Sequence, residues 1–174
     1  MIEWIIFLCG TTGITWISIP SLRLPGSHGF FRFFAWEFIL GIFLLNVHNW
    51  FLDPFSWNQI VSWVLLIVSL VPLIAGVRLL HSVGKPTDAL EATTQLVSSG
   101  IFRYIRHPLY ASLLYFNWGI FFKSPTLLDG CIASVVTAFL YATARADEAE
   151  CLIKFGEKYS AYMKATRMFI PFIF

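Results

Sequence analysis

Charge is what this sequence has least of. Of its 174 residues only 13% are Asp, Glu, Lys or Arg, about half the share of an ordinary soluble domain. Hydrophobic residues make up 57%, and the mean hydropathy of +0.72 excludes disorder, which needs low hydrophobicity and high net charge. A membrane is the solvent that suits such a chain. A net charge of +2 without a basic run lacks the electrostatic footprint of a nucleic-acid binder, so no nucleic-acid partner is expected. Cysteine is scarce as well. Cys9, Cys131 and Cys151 are odd in number, unrelated in spacing and without a CxxC, which points to buried thiols and not to a disulfide or a metal centre. His28, His48, His81 and His107 form no HExxH or HxxxH pair, so no metal site is expected. GxSxG, Walker and GxGxxG patterns are missing too.

What the chain does have is long apolar runs. A bilayer core takes about 20 apolar residues per helix. Trp4 to Leu22 has that length, with neither a basic n-region before it nor an A-x-A site after it, and is expected to be retained as a span. Phe30 to Leu52 follows, holding Glu37 and His48, and then Ile60 to Leu80, in which Pro72 should introduce a kink. Glu37, read as lying near the cytosolic end of its span, is expected to snorkel and to be structural. After a polar segment, Leu109 to Phe122 is apolar but short, and Leu127 to Ala144 completes what reads as a helical hairpin. The 18 Phe, 7 Trp and 6 Tyr suit lipid-facing surfaces and interfacial belts.

Basic residues test the span count independently. With five spans and the N-terminus outside, eleven of the twelve Lys and Arg fall on the cytosolic side and only Lys123 lies outside. Positive charge prefers that side, and one span more or fewer would spoil the split. The expected fold is all-α and polytopic. It has about five transmembrane helices, the last two forming the hairpin, and a C-terminal amphipathic helix. Residues 1–80 would supply three N-terminal spans, and 81–174 the loop, hairpin and amphipathic helix of one membrane-embedded domain.

Two cytosolic stretches carry the candidate chemistry. Leu96 to Tyr110, LVSSGIFRYIRHPLY, gathers Arg103, Arg106 and His107 just before Pro108. Proline suits the first turn of a helix, where its missing N–H costs nothing. Free N–H groups beside basic side chains suit a carboxylate or phosphate; a lipid anchor is the plainer alternative. Arg145 to Tyr162, RADEAECLIKFGEKYSAY, crowds Asp147, Glu148 and Glu150 at a membrane exit and repeats Leu152, Phe155, Tyr159 and Tyr162 at helical spacing. From residues alone this is either an interfacial helix with an acidic start or a carboxylate pair held for a cationic or hydroxylated ligand.

Taken together, LVxxGxxxxxRHPxY, a later acidic pair, FGxxYxxY and a terminal Ile-Pro resemble the isoprenylcysteine carboxyl methyltransferase family. The wider group of integral-membrane methyltransferases, phospholipid methyltransferases included, shares the pattern. The match covers roughly Gly84 to Pro171. It implies an S-adenosyl-L-methionine pocket formed by Leu96, Val97, Gly100, Phe102, His107, Pro108, Leu109 and Tyr110, with Asp147 and Glu148 also contacting the cofactor. It further implies a substrate role for Arg145, and Arg106 could help Arg145 orient an anionic acceptor. Three departures stand out. Phe102 replaces a common tyrosine, Asp147 replaces a glutamate, and Arg145 lies two residues nearer the acidic pair than in some members.

The reading that follows is methyl transfer, at the cytosolic membrane face, to a lipophilic small molecule or lipid-modified acceptor. A prenylcysteine-type carboxylate is favoured; a phospholipid amine or a thiol is the alternative. A non-catalytic carrier or assembly subunit would share the spans but not the paired motifs. The membrane would be the inner membrane in a bacterium or the endoplasmic reticulum in a eukaryote.

Overall fold

The computed structural model describes residues 2–85 and 93–173. Residues 86–92, part of the expected cofactor-binding loop, lie outside the described residues, as do both terminal residues. The α-helices are α1 (Ile2–Leu22), α2 (His28–Asn46), α3 (Trp57–Leu79), α4 (Pro108–Phe121), α5 (Leu127–Phe155) and α6 (Glu157–Ala165). Among the described residues, four helical runs, Ile2–Leu22, His28–Asn49, Trp57–Gly84 and Leu127–Phe155, are long and apolar enough to cross a membrane. The chain is an all-α, polytopic membrane protein. α4 has 14 residues, about 21 Å at 1.5 Å per residue, and is shorter than a bilayer core of about 30 Å.

The chain divides into two compact units. The first comprises Met1–Leu66 and Leu114–Asp147. Its α1–α2 turn is tight because Ser27 caps α2, its hydroxyl accepting from the Phe30 N–H at 3.2 Å. Gly29 must stay small, since a Cβ there would meet the Ser21 hydroxyl at 2.2 Å. The hairpin turn is fixed by Thr126. Its hydroxyl accepts from the Asp129 N–H at 3.1 Å and donates to the Asp129 carboxylate at 2.6 Å. Asn46 donates to the other oxygen of Asp129 at 3.2 Å. Along the helices, Ser62 donates to the Gly119 carbonyl at 2.7 Å and Asn117 to that of Ala133 at 3.1 Å. Lipid offers no competing hydrogen bonds, so buried polar groups of this kind tie membrane helices together.

The second unit comprises Ile67–Leu113 and Glu148–Phe174. A short π-helical turn, Leu80–Gly84, closes the end of α3. A 3-10 turn, Gly100–Arg103, then leads towards α4. Gly100 has φ +56, and a Cβ there would lie 2.6 Å from Leu79 Cδ1, so both backbone and space call for glycine. Leu80, Val97 and Phe102 form one buried apolar cluster of this unit.

Four expectations are corrected. Cys9 and Cys131 are exposed and Cys151 half-buried, because the apolar stretches that hold them turn partly outward from the protein. Glu37 lies at the middle of α2 and not near its end. The fifth stretch does not stop at Ala144: α5 continues to Phe155, so Asp147, Glu148 and Glu150 ride late in a long helix and do not start a new one. The expected amphipathic face is interrupted between Phe155 and Tyr159 by Gly156, with φ +58, which separates α5 from α6.

Candidate functional site

The site builds from Arg106, in the second unit. Its Nε donates to Glu148 Oε1 at 2.8 Å. Its Nη1 donates to the carbonyls of Thr166 at 2.6 Å and Met163 at 3.1 Å. One guanidinium thus joins the segment before α4 to the end of α5 and the end of α6. Glu148 is 2% exposed, which a carboxylate tolerates only when its charge is met. The second group at that charge is His107, whose Nε2 lies 3.4 Å from the same oxygen. The His107 ring stacks on Tyr110, with centroids 5.4 Å apart and planes at 19°, and Phe169 flanks it at 6.2 Å.

Backbone geometry sets these side chains in place. The Arg106 N–H donates to the Arg167 carbonyl at 2.7 Å, and the His107 N–H to that of Met168 at 3.2 Å. In return the Arg167 N–H donates to the Tyr104 carbonyl at 3.0 Å. The strand-like exchange runs parallel, with Ile105 opposite Arg167. It ends where Pro108 opens α4, since the His107 carbonyl already accepts the first helical bond, from Ala111 at 2.9 Å. Proline therefore occupies the first helical position, as its missing N–H suggested. Tyr162 adds a further tie, its hydroxyl donating to the Phe102 carbonyl at 2.7 Å. Burial pushes that phenol above the ordinary tyrosine range.

The structure places the remaining expected residues as follows. Val97, Phe102, Pro108 and Tyr110 are buried, Leu96 and Leu109 are half-buried, and Gly100 is exposed. Leu109 packs on the Leu80–Val97–Phe102 core, close to Gly76 of α3. Asp147, next to Glu148 on α5 but in the first unit, is half-buried, and Arg145 is exposed. Sequence reasoning missed Thr166, Met168 and Phe169. Their contribution is partly backbone, and no side-chain pattern announces a carbonyl that will accept from an arginine. The only trace was the terminal Ile-Pro just beyond them.

Chemically, the cluster is a carboxylate, a guanidinium, an imidazole and two aromatic rings in one largely buried unit. A protein of Crocosphaera subtropica (strain ATCC 51142 / BH68) described as "Methanethiol S-methyltransferase" is 32% identical over 74 residues, which is 41% of this chain and 28% of that protein. The chain thus matches less than a third of that relative's length. A family model described as "Protein of unknown function (DUF1295)" matches residues 16–166. With most of its length so matched, the chain belongs to that DUF1295 family.

Proposed function

We propose that the protein, as one methyltransferase domain spanning residues 1–174, transfers a methyl group from S-adenosyl-L-methionine to a small lipophilic thiol at the cytosolic face of its membrane. One observation carries the reading. The RHPxY stretch and the acidic stretch, the two motifs of the methyltransferase resemblance, meet in the Arg106–Glu148–His107 cluster. The choice of a thiol rests on the likeness to the methanethiol enzyme. It is favoured over a prenylcysteine carboxylate because Arg106, the candidate for orienting an anion, spends its Nε and Nη1 on Glu148 and two carbonyls.

The donor set fits the cofactor chemically. S-adenosyl-L-methionine would supply an electrophilic methyl on a cationic sulfonium, and it carries an ammonium, a carboxylate and a hydroxylated nucleoside. Leu96, Val97, Phe102, Pro108 and Leu109 offer apolar surface for the nucleoside, with Gly100 shaping the turn between them. His107 and Tyr110 would supply aromatic contacts to it, and Asp147 and Glu148 would suit its cationic and hydroxyl groups. Arg106 positions Glu148 by a charge-assisted bond. These apolar residues would keep water from the methyl group, whose transfer depends chiefly on in-line alignment of the two reactants. Arg145, exposed on α5, is left as the residue that would meet an acceptor. The topology is five spans with α4 as the short one, the N-terminus outside and the C-terminus in the cytosol, where the cofactor is made.

The test is a methylation assay on protein in detergent, using labelled S-adenosyl-L-methionine with methanethiol, a prenylcysteine and an aminophospholipid offered separately. Label should pass to the thiol. Transfer to the prenylcysteine alone would restore the carboxylate reading, and transfer to none of a broad acceptor panel would favour a non-catalytic protein.

A further inference from the structure

The first unit holds a feature that methyl transfer does not use. Between α1 and α2 lies a cavity of about 520 Å³ walled by Trp4, Phe7, Phe38 and Leu44, with Ile132 of α5 at its side. Deep in this apolar wall, at the middle of α2, is set the carboxylate of Glu37. Its Oε2 accepts from the Thr11 hydroxyl at 2.8 Å. Its Oε1 is buried and has no hydrogen-bond donor among the described residues. The cavity's other carboxylate, Glu3, is engaged by His48, and the His48 side chain is 81% exposed, which puts that pair at a mouth.

A carboxylate within a span is costly unless a partner meets its charge. Here one oxygen is met by a neutral hydroxyl, and the other is buried in the cavity wall without a donor among the described residues. The group that would complete it is a cationic N–H donor, which forms a short charge-assisted bond while aromatic faces favour the charge from the side. An alcohol would satisfy the oxygen without neutralising it, and an anion would be repelled. We infer that the α1–α2 cavity is a binding site for a lipophilic amine in its ammonium form, entering from the bilayer and held by Glu37. The site is independent of the methyl-transfer reading, and its test needs no turnover.

Calorimetry on protein in nanodiscs, with empty discs subtracted, would use 4-phenylbutylammonium and its near-isostere 4-phenylbutanol. The amine should bind saturably at one per chain, with at least tenfold higher affinity than the alcohol. Glu37→Gln, which keeps size and an acceptor for Thr11, should lower amine affinity at least tenfold and erase the difference between the two ligands. Glu3→Gln should change it less than twofold. Gly41→Leu should block both ligands, because Gly41 lines the cavity and a Cβ there meets nothing within 4 Å. That change also raises helix propensity, so loss of binding would not reflect misfolding. Equal affinity for amine and alcohol, full amine binding to Glu37→Gln, or no saturable binding would each overturn the inference.

Discussion

Arg106 and Lys123 are both cations withdrawn from solvent, one in each unit, and they are satisfied by opposite means. Arg106 has a carboxylate, Glu148, at 2.8 Å and two backbone carbonyls. Lys123, in the α4–α5 turn, is 2% exposed and is surrounded by neutral groups. Its Nζ lies 3.7 Å from the centre of the Trp63 ring, 3.0 Å from Gln59 Oε1 and 3.4 Å from the Trp50 carbonyl. Dipoles and a ring face can hold a cation near a membrane surface, but they do not balance it. Burial accordingly lowers the Lys123 pKa. The contrast separates two uses of burial. The first unit shelters a charge to close a turn, whereas the second brings opposite charges together from distant parts of the chain.

The largest effect should come from breaking the balanced pair. Glu148→Ala leaves Arg106 buried without its carboxylate and is expected to cost about 3–5 kcal/mol. The double variant Arg106→Met, Glu148→Leu should recover much of that. Chemical unfolding in detergent gives both values, and a double variant no more stable than Glu148→Ala would mean that the pair is not what holds the segment. Next is Gly100→Ala, expected to cost about 1–3 kcal/mol, because its positive φ and the approach of Leu79 both oppose a side chain. A neutral result by the same measurement would show that this turn relaxes freely.

Lys123→Met should be milder, within about 1 kcal/mol near neutrality, since a neutral side chain of similar length fills the same box. Lys123 also makes stability depend on pH. A lysine whose folded pKa lies below its unfolded value holds its proton less tightly when folded. It therefore destabilises the fold fully below the lowered value, and that cost is relieved as pH rises through the window up to 10.5. The stability difference between wild type and Lys123→Met should shift in favour of wild type across that window. A flat difference would contradict the burial of this charge. Smallest of all is Glu150→Gln, an exposed neighbour on α5, expected to stay within about 0.5 kcal/mol. A cost near that of Glu148→Ala would erase the distinction drawn between these two acids.

The long helices of both units were legible because hydropathy reports them directly: runs of apolar residues became α1, α2, α3 and the hairpin, within a few residues at most ends. Where hydropathy changed but the backbone did not, the reading faltered. Arg145 and Asp147 end the apolar run, yet Ala, Asp and Glu in ADEAE do not break a helix, and α5 continues through them. Lys123 was expected as the lone basic residue on the outer side, but its enclosure by Trp50, Trp63 and Gln59 was not legible, because it depends on residues some 60 to 70 positions earlier. In the second unit the conjunction of RHPxY with Glu148 was legible as a motif. Its physical basis, a parallel backbone exchange with residues 167 and 168, was not, because main-chain pairing between distant segments leaves no periodicity.

That exchange also sets an order of events during synthesis. Tyr104, Arg106 and His107 leave the ribosome some 60 residues before the backbone groups of Arg167 and Met168 that they bond, and Arg106 waits as long for the Thr166 carbonyl. The apolar helices can enter the membrane as they emerge, whereas contacts so distant in sequence form late. The segment that carries RHPxY must therefore remain provisional until residues 166–168 of the chain have been made.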